Sequence, residues 1–390
     1  MRVLAVMREW PYPLTNGVNL RAFHFLKGVS RQHEVVLVHF GPAGECLESL
    51  GVTLYSTVSV PRTAQPRKDG TLRRLGRAIR IGSVWPVDGA MLSAIDGLVK
   101  SFRPEAIWCT HLEMGLYAPK AMRRRVLVDV IDDQVLAYIG NRDLGPLRRL
   151  KQLLDWGLVE VRCGMRCAVA TFASRKDARA FRRWCPWLRC LAVPNGVDTS
   201  YYSPHPSDER EAPYIVLVGN YQHPPNATAV QALLWDIWPL VKKEMPDLGC
   251  RLVGPNLPAD LAAQAAAAGI LVAGLVEDTR PHLAGAAVAV SPLVTGTGIK
   301  NKVLEAWAMG KAVVALPAGL AGLEQHAAEA CILARDAKSF ARALVDLVRN
   351  PIRRQSLGRA ARALVERQYD WRIRAQDFAR VLETLNEAHQ

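Results

Sequence analysis

The chain of 390 residues contains no Cys-X-X-Cys pair. Its cysteines stand apart at 46, 109, 163, 167, 185, 190, 250 and 331. The 163/167 and 185/190 spacings lack the His and Cys neighbours that a zinc site needs. Buried, reduced thiols of a cytoplasmic protein are therefore expected, and structural disulfides are not. Long apolar runs are missing as well. The best candidate, Ala306 to Leu323, is broken by Lys311, glycine and proline, so no spanning helix is expected. Charges at Arg2, Arg8 and Glu9 break the layout of a signal peptide. The second half has no Asp-X-Asp after a strand, and no metal site is expected. No aromatic-basic stacking module appears either, which speaks against nucleic acid as a partner. With half its residues hydrophobic, the chain reads as globular, and as soluble or peripheral to a membrane.

Positive charge is present in excess, and it is one-sided. Residues 1–205 hold 30 Lys and Arg against 17 Asp and Glu, which leaves +13 of the total +14. Such a field suits nucleic acid, anionic lipid headgroups or a phosphorylated substrate. Residues 71–82, TLRRLGRAIRIG, place Arg73, Arg77 and Arg80 on one helix face. That pattern reads either as a basic amphipathic helix at a membrane surface or as a solvated face.

Apolar strand-like runs alternate with helical patterns. RVLAVM (2–7), EVVLVHF (34–40), VTLYSTVSV (52–60), AIWCTH (106–111), VLVDVID (126–132) and VATFAS (169–174) read as buried parallel strands. Helices are expected over 20–32, 94–102, about 144–166 and from Lys176. The Pro-, Ser- and charge-rich stretch 199–213 then reads as a linker. The pattern restarts with strands at 214–220, 249–254, 270–274, 287–293 and 312–319, with a helix from about Ala227 to Lys243 and others at 259–268 and near 279–284. From Phe340 the chain is expected to be helical to its end, interrupted near Asn350–Pro351. Ligands of such sheets lie beyond the carboxyl ends of the strands.

One such place reads GTGIKNKVLEAWAMG (296–310). Gly296 and Gly298 lack a Cβ, so backbone N–H groups can approach a ligand, and a helix start favours negative charge. Lys300 and Lys302 add cations. An ordinary βαβ turn with solvated lysines would look the same locally. In the first half His111 and Asp132 end strands. His111 is a candidate to polarise or position an acceptor and Asp132 to take its proton, although His111 could instead cap Glu113 or a backbone group.

PNGVD (194–198), GNYQHPPNATAV (219–230), LVGPN (252–256), GLVEDTRPHLAGAAVAVSPL (274–293) and GTGIKNKVLEAWAMGKAVVALPAGLAGL (296–323) occur in an order, together with the opening 2–40, that resembles a GT-B-fold glycosyltransferase of the family 4 type. The resemblance is closest to sugar transferases associated with exopolysaccharide and exosortase systems. It implies two doubly wound, Rossmann-like α/β domains facing across a cleft: 1–205 on the acceptor side and 206–368 binding a nucleotide sugar. A final helix, 369–390, would pack back on the first domain. It implies that Glu305 accepts hydrogen bonds from the ribose, that Lys300 and Lys302 lie near the diphosphate, that Val276 meets the base, and that Gly17 allows close approach to the phosphates. Glu305 could also be an ordinary helix acid and Gly17 a plain turn residue.

Departures from the family pattern are visible. Thr297 stands where many members carry a second glutamate. After Gly219 the usual arginine and lysine are replaced by Asn220-Tyr221-Gln222-His223, with Asn226 following two prolines. The function implied is transfer of a sugar from a nucleotide-diphosphate donor to a glycan or lipid-linked acceptor. Retention of configuration follows from the resemblance alone. No cofactor is expected, and the protein would lie in the cytoplasm or peripherally on the inner membrane face. The other readings are a nucleotide-sugar epimerase of the same fold, or a catalytically weak scaffold with an intact donor pocket.

Overall fold

The structure is a computed structural model of residues 1–390; it describes all of them except 15, 63–86, 133–134, 136–144, 205–211, 297 and 388–390. The basic stretch bearing Arg73, Arg77 and Arg80, Asp133, and the candidate Thr297 lie outside the described residues. Two compact units are present: Met1–Pro194 with Arg372–Gln390, and Asn195–Trp371.

The first unit holds a parallel sheet of seven strands in the order β3-β2-β1-β4-β5-β6-β7. These are β1 (Arg2–Met7), β2 (Glu34–Phe40), β3 (Ser56–Val60), β4 (Ala106–Thr110), β5 (Val126–Ile131), β6 (Val169–Phe172) and β7 (Arg189–Ala192). Strands such as β1 and β5 read as continuous apolar runs because helices cover both faces of a parallel sheet. The helices are α1 (Gly17–Val29), α2 (Gly89–Ser101), α3 (Pro146–Gly164) and α4 (Arg175–Trp184). α1 starts three residues before the expected 20 because the Asn16 side chain accepts from the N–H groups of Val18 and Asn19, each at 2.9 Å.

The second unit holds a parallel sheet of six strands in the order β10-β9-β8-β11-β12-β13. They are β8 (Ala212–Val218), β9 (Gly249–Val253), β10 (Leu271–Gly274), β11 (Ala286–Ser291), β12 (Val313–Ala315) and β13 (Ile332–Leu333). Its helices include α5 (Pro224–Gln231), α6 (Trp238–Glu244), α7 (Ala259–Ala267), α8 (Arg280–Ala284), α9 (Asn301–Ala308), α10 (Ala337–Arg349) and α11 (Pro351–Gln368). The single helix expected over 227–243 is instead α5, a π-helical segment Ala232–Ile237, and α6. Pro239 explains the widening, since it has no N–H to give and its ring crowds the preceding turn.

The stretch expected to be a linker does not mark the division. Val197 forms a parallel bridge with Asp370. Arg362 donates to the Tyr202 and Ala308 carbonyls at 2.6 Å each and to the Thr199 carbonyl at 2.9 Å. These bonds hold residues from Asn195 to Pro204 in the second unit. The last helix, α12 (Trp371–Glu387), joins the first unit from Arg372 onward. Phe378 stacks on Phe25 with centroids 4.2 Å apart and packs on Trp108 at 4.9 Å. A Cβ on Gly28 would come within 2.3 Å of the Ala375 Cβ, so glycine is what lets α12 lie this close to α1.

In both sheets the strand order reverses between two central strands, β1/β4 and β8/β11. At such points loops diverge beyond the carboxyl ends and leave room for ligands.

Candidate functional site

In the second unit the loop beyond β8 begins with Gly219. It is approached by Gly254, the residue following β9: a Cβ on Gly254, whose φ is +131°, would fall 2.0 Å from the Gly219 carbonyl oxygen. No side chain fits there, so the two strand ends come together backbone to backbone. Over Gly219 lies the Lys302 ammonium, 3.1 Å from where a Cβ would be, and the Asn226 amide, 3.3 Å away. Lys302 Nζ donates to Asn226 Oδ1 at 2.6 Å. Asn226 Nδ2 in turn donates to the Asn220 carbonyl at 2.7 Å, and Asn256 Nδ2 donates to Asn220 Oδ1 at 3.1 Å. A chain of amides thus fixes the oxygen on which the lysine rests.

Lys302 lies in the first turn of α9, whose N-cap is Lys300. Gly296 and Gly298 both have positive φ, +128° and +71°. The Lys300 ammonium sits 3.1 Å from the position of a Gly296 Cβ, beside Pro225. Two ammonium groups and the N–H groups opening α9 therefore lie at the reversal point. One turn further along α9 is Glu305. Both Glu305 and Lys302 keep a window on solvent, yet protein surrounds them on most sides. Burial pushes the Glu305 carboxyl up to about 7, with Lys302 pulling the other way. Burial, helped by Lys300, lowers the Lys302 ammonium to about 8, with Glu305 opposing. The tyrosine Tyr202 lies within electrostatic reach of Glu305 and bonds to Thr279; burial raises its hydroxyl pKa. Val276 packs at the edge of the same apolar cluster as Tyr202, Ile299 and Val303.

Gly219, Asn226, Val276, Gly296, Gly298, Lys300, Lys302 and Glu305 thus belong to one neighbourhood of the second unit. Gly254, Asn220, Asn256 and Tyr202 escaped sequence reasoning. Asn220 and Gly254 were visible as loop residues after strands, but their mutual contact was not.

In the first unit a cavity of about 440 Å³ opens at the β1/β4 reversal. His111 and Asp132 line it, as expected from their places after β4 and β5, together with Arg8, Glu113, Phe40 and Trp156. Gly17 is not in the lining; its neighbour Val18 is. Arg8 pairs with Glu113 at 3.3 Å. The His111 side chain makes no capping bond to the turn it opens; its backbone N–H donates to the Asp129 carbonyl at 2.9 Å, and burial lowers its imidazole pKa, with Glu113 opposing. A neutral ring is the consequence, able to accept one hydrogen bond and donate another.

Two of the four non-glycine residues with positive φ among the described residues lie at this cavity. His111 has φ +66°, and Ile131, β-branched, has φ +74°. Such conformations cost on the order of 1–3 kcal/mol each and persist only when the surroundings enforce them. Beneath the strained strand ends lies a buried ion pair that the sequence did not reveal. Arg21 on α1 donates to both Asp129 oxygens, at 2.7 and 2.8 Å, and to the Val193 carbonyl at 2.7 Å. Thr171 donates to the same carboxylate at 2.7 Å. The pair ties α1, which brings Val18 to the cavity, to β5, which brings Ile131 and Asp132.

Residues 212–350 match the sequence model of the glycosyl transferases group 1 family. The chain is 31% identical over 204 residues to a phosphatidyl-myo-inositol mannosyltransferase of Mycobacterium leprae, with 50% of this chain and 54% of that protein covered. It spans about half the length of the curated relatives it matches. Its fold is similar to the sucrose-phosphate synthase of Thermosynechococcus elongatus, at a TM-score of 0.72 and 15% identity over 100% of both chains. It is likewise similar to the Anabaena protein HepE in complex with UDP, at a TM-score of 0.70 and 12% identity, with 98% of this chain and 100% of that one covered. The fold class is GT-B, with two doubly wound, Rossmann-like units.

Proposed function

We propose that the protein transfers a sugar from a nucleoside-diphosphate donor, held by the second unit, to the hydroxyl of a glycan or lipid-linked acceptor received by the first. The observation that carries this reading is the Lys302 ammonium poised on Asn226 above Gly219, at a helix start and at the reversal point of the sheet. When the C1–O bond of the donor breaks, charge grows on the β-phosphate oxygen. Lys302, Lys300 and the N–H groups opening α9 can meet it in place, without reorganising. Glu305, once ionised, accepts from the ribose hydroxyls, and Val276 borders the base. His111 positions the acceptor hydroxyl, which forms the new bond to C1, and its proton passes to Asp132. Charge is met by lysines rather than by a required metal, and configuration is retained.

Support for a lipid-linked acceptor comes from the basic first half and from relatives named for a phosphatidyl-myo-inositol acceptor. That setting places the protein in the cytoplasm, at an anionic membrane surface, in cell-surface or exopolysaccharide synthesis. The reading is tested by incubating the protein with radiolabelled UDP-glucose, UDP-N-acetylglucosamine or GDP-mannose and a bacterial lipid extract, with EDTA present. Label moving into the organic phase, and lost in Lys302→Ala, supports it. Release of free 2-epimer without acceptor labelling would favour an epimerase.

A further inference from the structure

Two helices of the first unit present side chains that a water-facing surface does not need. On α3, Leu147, Leu150 and Leu154 are 83%, 55% and 61% exposed. At 100° per residue these three and Met165 at the end of the helix fall within about 60° of one another, so they form a stripe along its length. Met165 is half exposed. Trp187 closes over that end, its indole N–H donating to the Gly164 carbonyl at 3.2 Å. Trp187 and Trp184 are themselves half exposed. Single exposed leucines are ordinary, but an apolar row closed at its end by a half-exposed tryptophan is not.

The charge beside this row is mainly positive, with half-buried Asp155 the exception on α3. Arg148 flanks the leucines on α3. On α4 the exposed face carries Arg175, Lys176, Arg179, Arg182 and Arg183, while the sole acid of that helix, Asp177, is buried against Ser174. Cations with aliphatic stems, indoles and a leucine row match the three layers of an anionic bilayer surface: phosphate, interface and outer acyl chain.

We infer that α3 and α4 form the face by which this protein sits on an anionic lipid bilayer. The inference rests on the membrane part of the function proposed above and is independent of the donor site. A nucleic acid would use the cations but leave the leucine row in water. A second copy packed on the same face would set these cations against their own kind.

The experiment is co-sedimentation with vesicles of phosphatidylcholine plus phosphatidylglycerol, against phosphatidylcholine alone and against a labelled oligonucleotide. The parent is compared with Arg179→Ser/Arg182→Ser/Arg183→Ser and with Leu147→Ser/Leu150→Ser/Leu154→Ser. Thermal unfolding checks that these surface variants fold, and UDP calorimetry checks the second unit. Removing three cations is expected to weaken binding to the anionic vesicles by on the order of 100-fold, an effect that fades in high salt. Removing the leucines should abolish the binding that survives high salt. If both variants bind as the parent does, this face is wrong while the membrane setting stands. If the parent ignores anionic vesicles, both fall. Tighter binding to the oligonucleotide, or a concentration-dependent dimer lost with the leucines, would likewise overturn the assignment.

Discussion

The two reversal points solve different problems with different materials. In the second unit, Gly254 and Gly219 meet backbone to backbone, glycines at 296 and 298 take positive φ, and the contacts are between small groups and ammonium ions. In the first unit a roomy cavity is held by non-glycine residues in left-handed backbone, His111 and Ile131, over a buried ion pair. The first arrangement suits a diphosphate, whose oxygens are met by N–H groups and cations at close range. The second suits a larger, partly apolar partner and a neutral imidazole. Strained non-glycine strand ends mark one site; the other relies mainly on glycines, with Asn256 at φ +64° the exception among the described residues.

The sharpest way to break this contrast is to remove the pair beneath the cavity. Arg21→Ala leaves Asp129 buried without its guanidinium and should destabilise the protein by about 3–5 kcal/mol in urea unfolding. A loss below about 1 kcal/mol would show that the strained strand ends are held by something else. Next comes Lys302→Ala, expected to slow sugar transfer by about 10²–10³-fold through loss of one charge-stabilising donor. His111→Asn tests the other site. Asparagine tolerates positive φ, so folding should persist, while transfer falls by on the order of 10²-fold and UDP affinity stays as in the parent. Asn226→Ala removes the oxygen that holds Lys302. A weakening of UDP binding of about tenfold is expected, the scale of one hydrogen bond to a charged group, and Asn226→Gln should recover part of it.

The smallest effect is on pH dependence. Because the folded-state pKa of Glu305 is raised from 4.5 to about 7, its contribution to stability falls as pH climbs through that range. Because that of Lys302 is lowered from 10.5 to about 8, stability returns as pH climbs from about 8. The unliganded second unit should therefore show a shallow stability trough between pH 7 and 8. Glu305→Gln should flatten its acid side and Lys302→Ala its alkaline side, read from thermal unfolding across pH.

Much of the architecture was legible because parallel strands buried on both faces are almost wholly apolar, as in β1 past Arg2 and β5 but for Asp129. The donor neighbourhood was legible in part because glycines, cations and a helix start lie close in sequence. What stayed hidden required distant residues to meet. Arg21 and Asp129 are 108 positions apart, and nothing in GVNLRAFHFLKGV or VLVDVID announces their pairing. Gly254 is informative only once Gly219 lies against it. The division of the chain was misplaced because polarity at 199–213 resembles a linker, whereas Val197 and Thr199 are bonded to Asp370 far along the chain. Local widening at Ala232–Ile237 could have been suspected from Pro239, but apolar periodicity alone runs smoothly through it.

The central claim is that the second unit holds a nucleoside diphosphate through Lys302 and Glu305. Calorimetric titration with UDP, GDP and ADP, first without metal and then with Mg²⁺, tests it most directly, with Lys302→Ala and Glu305→Ala alongside. The account predicts metal-independent binding of one nucleotide, weakened in both variants while they remain folded. Binding that is absent in the parent for all three nucleotides, or unchanged in both variants, would contradict it.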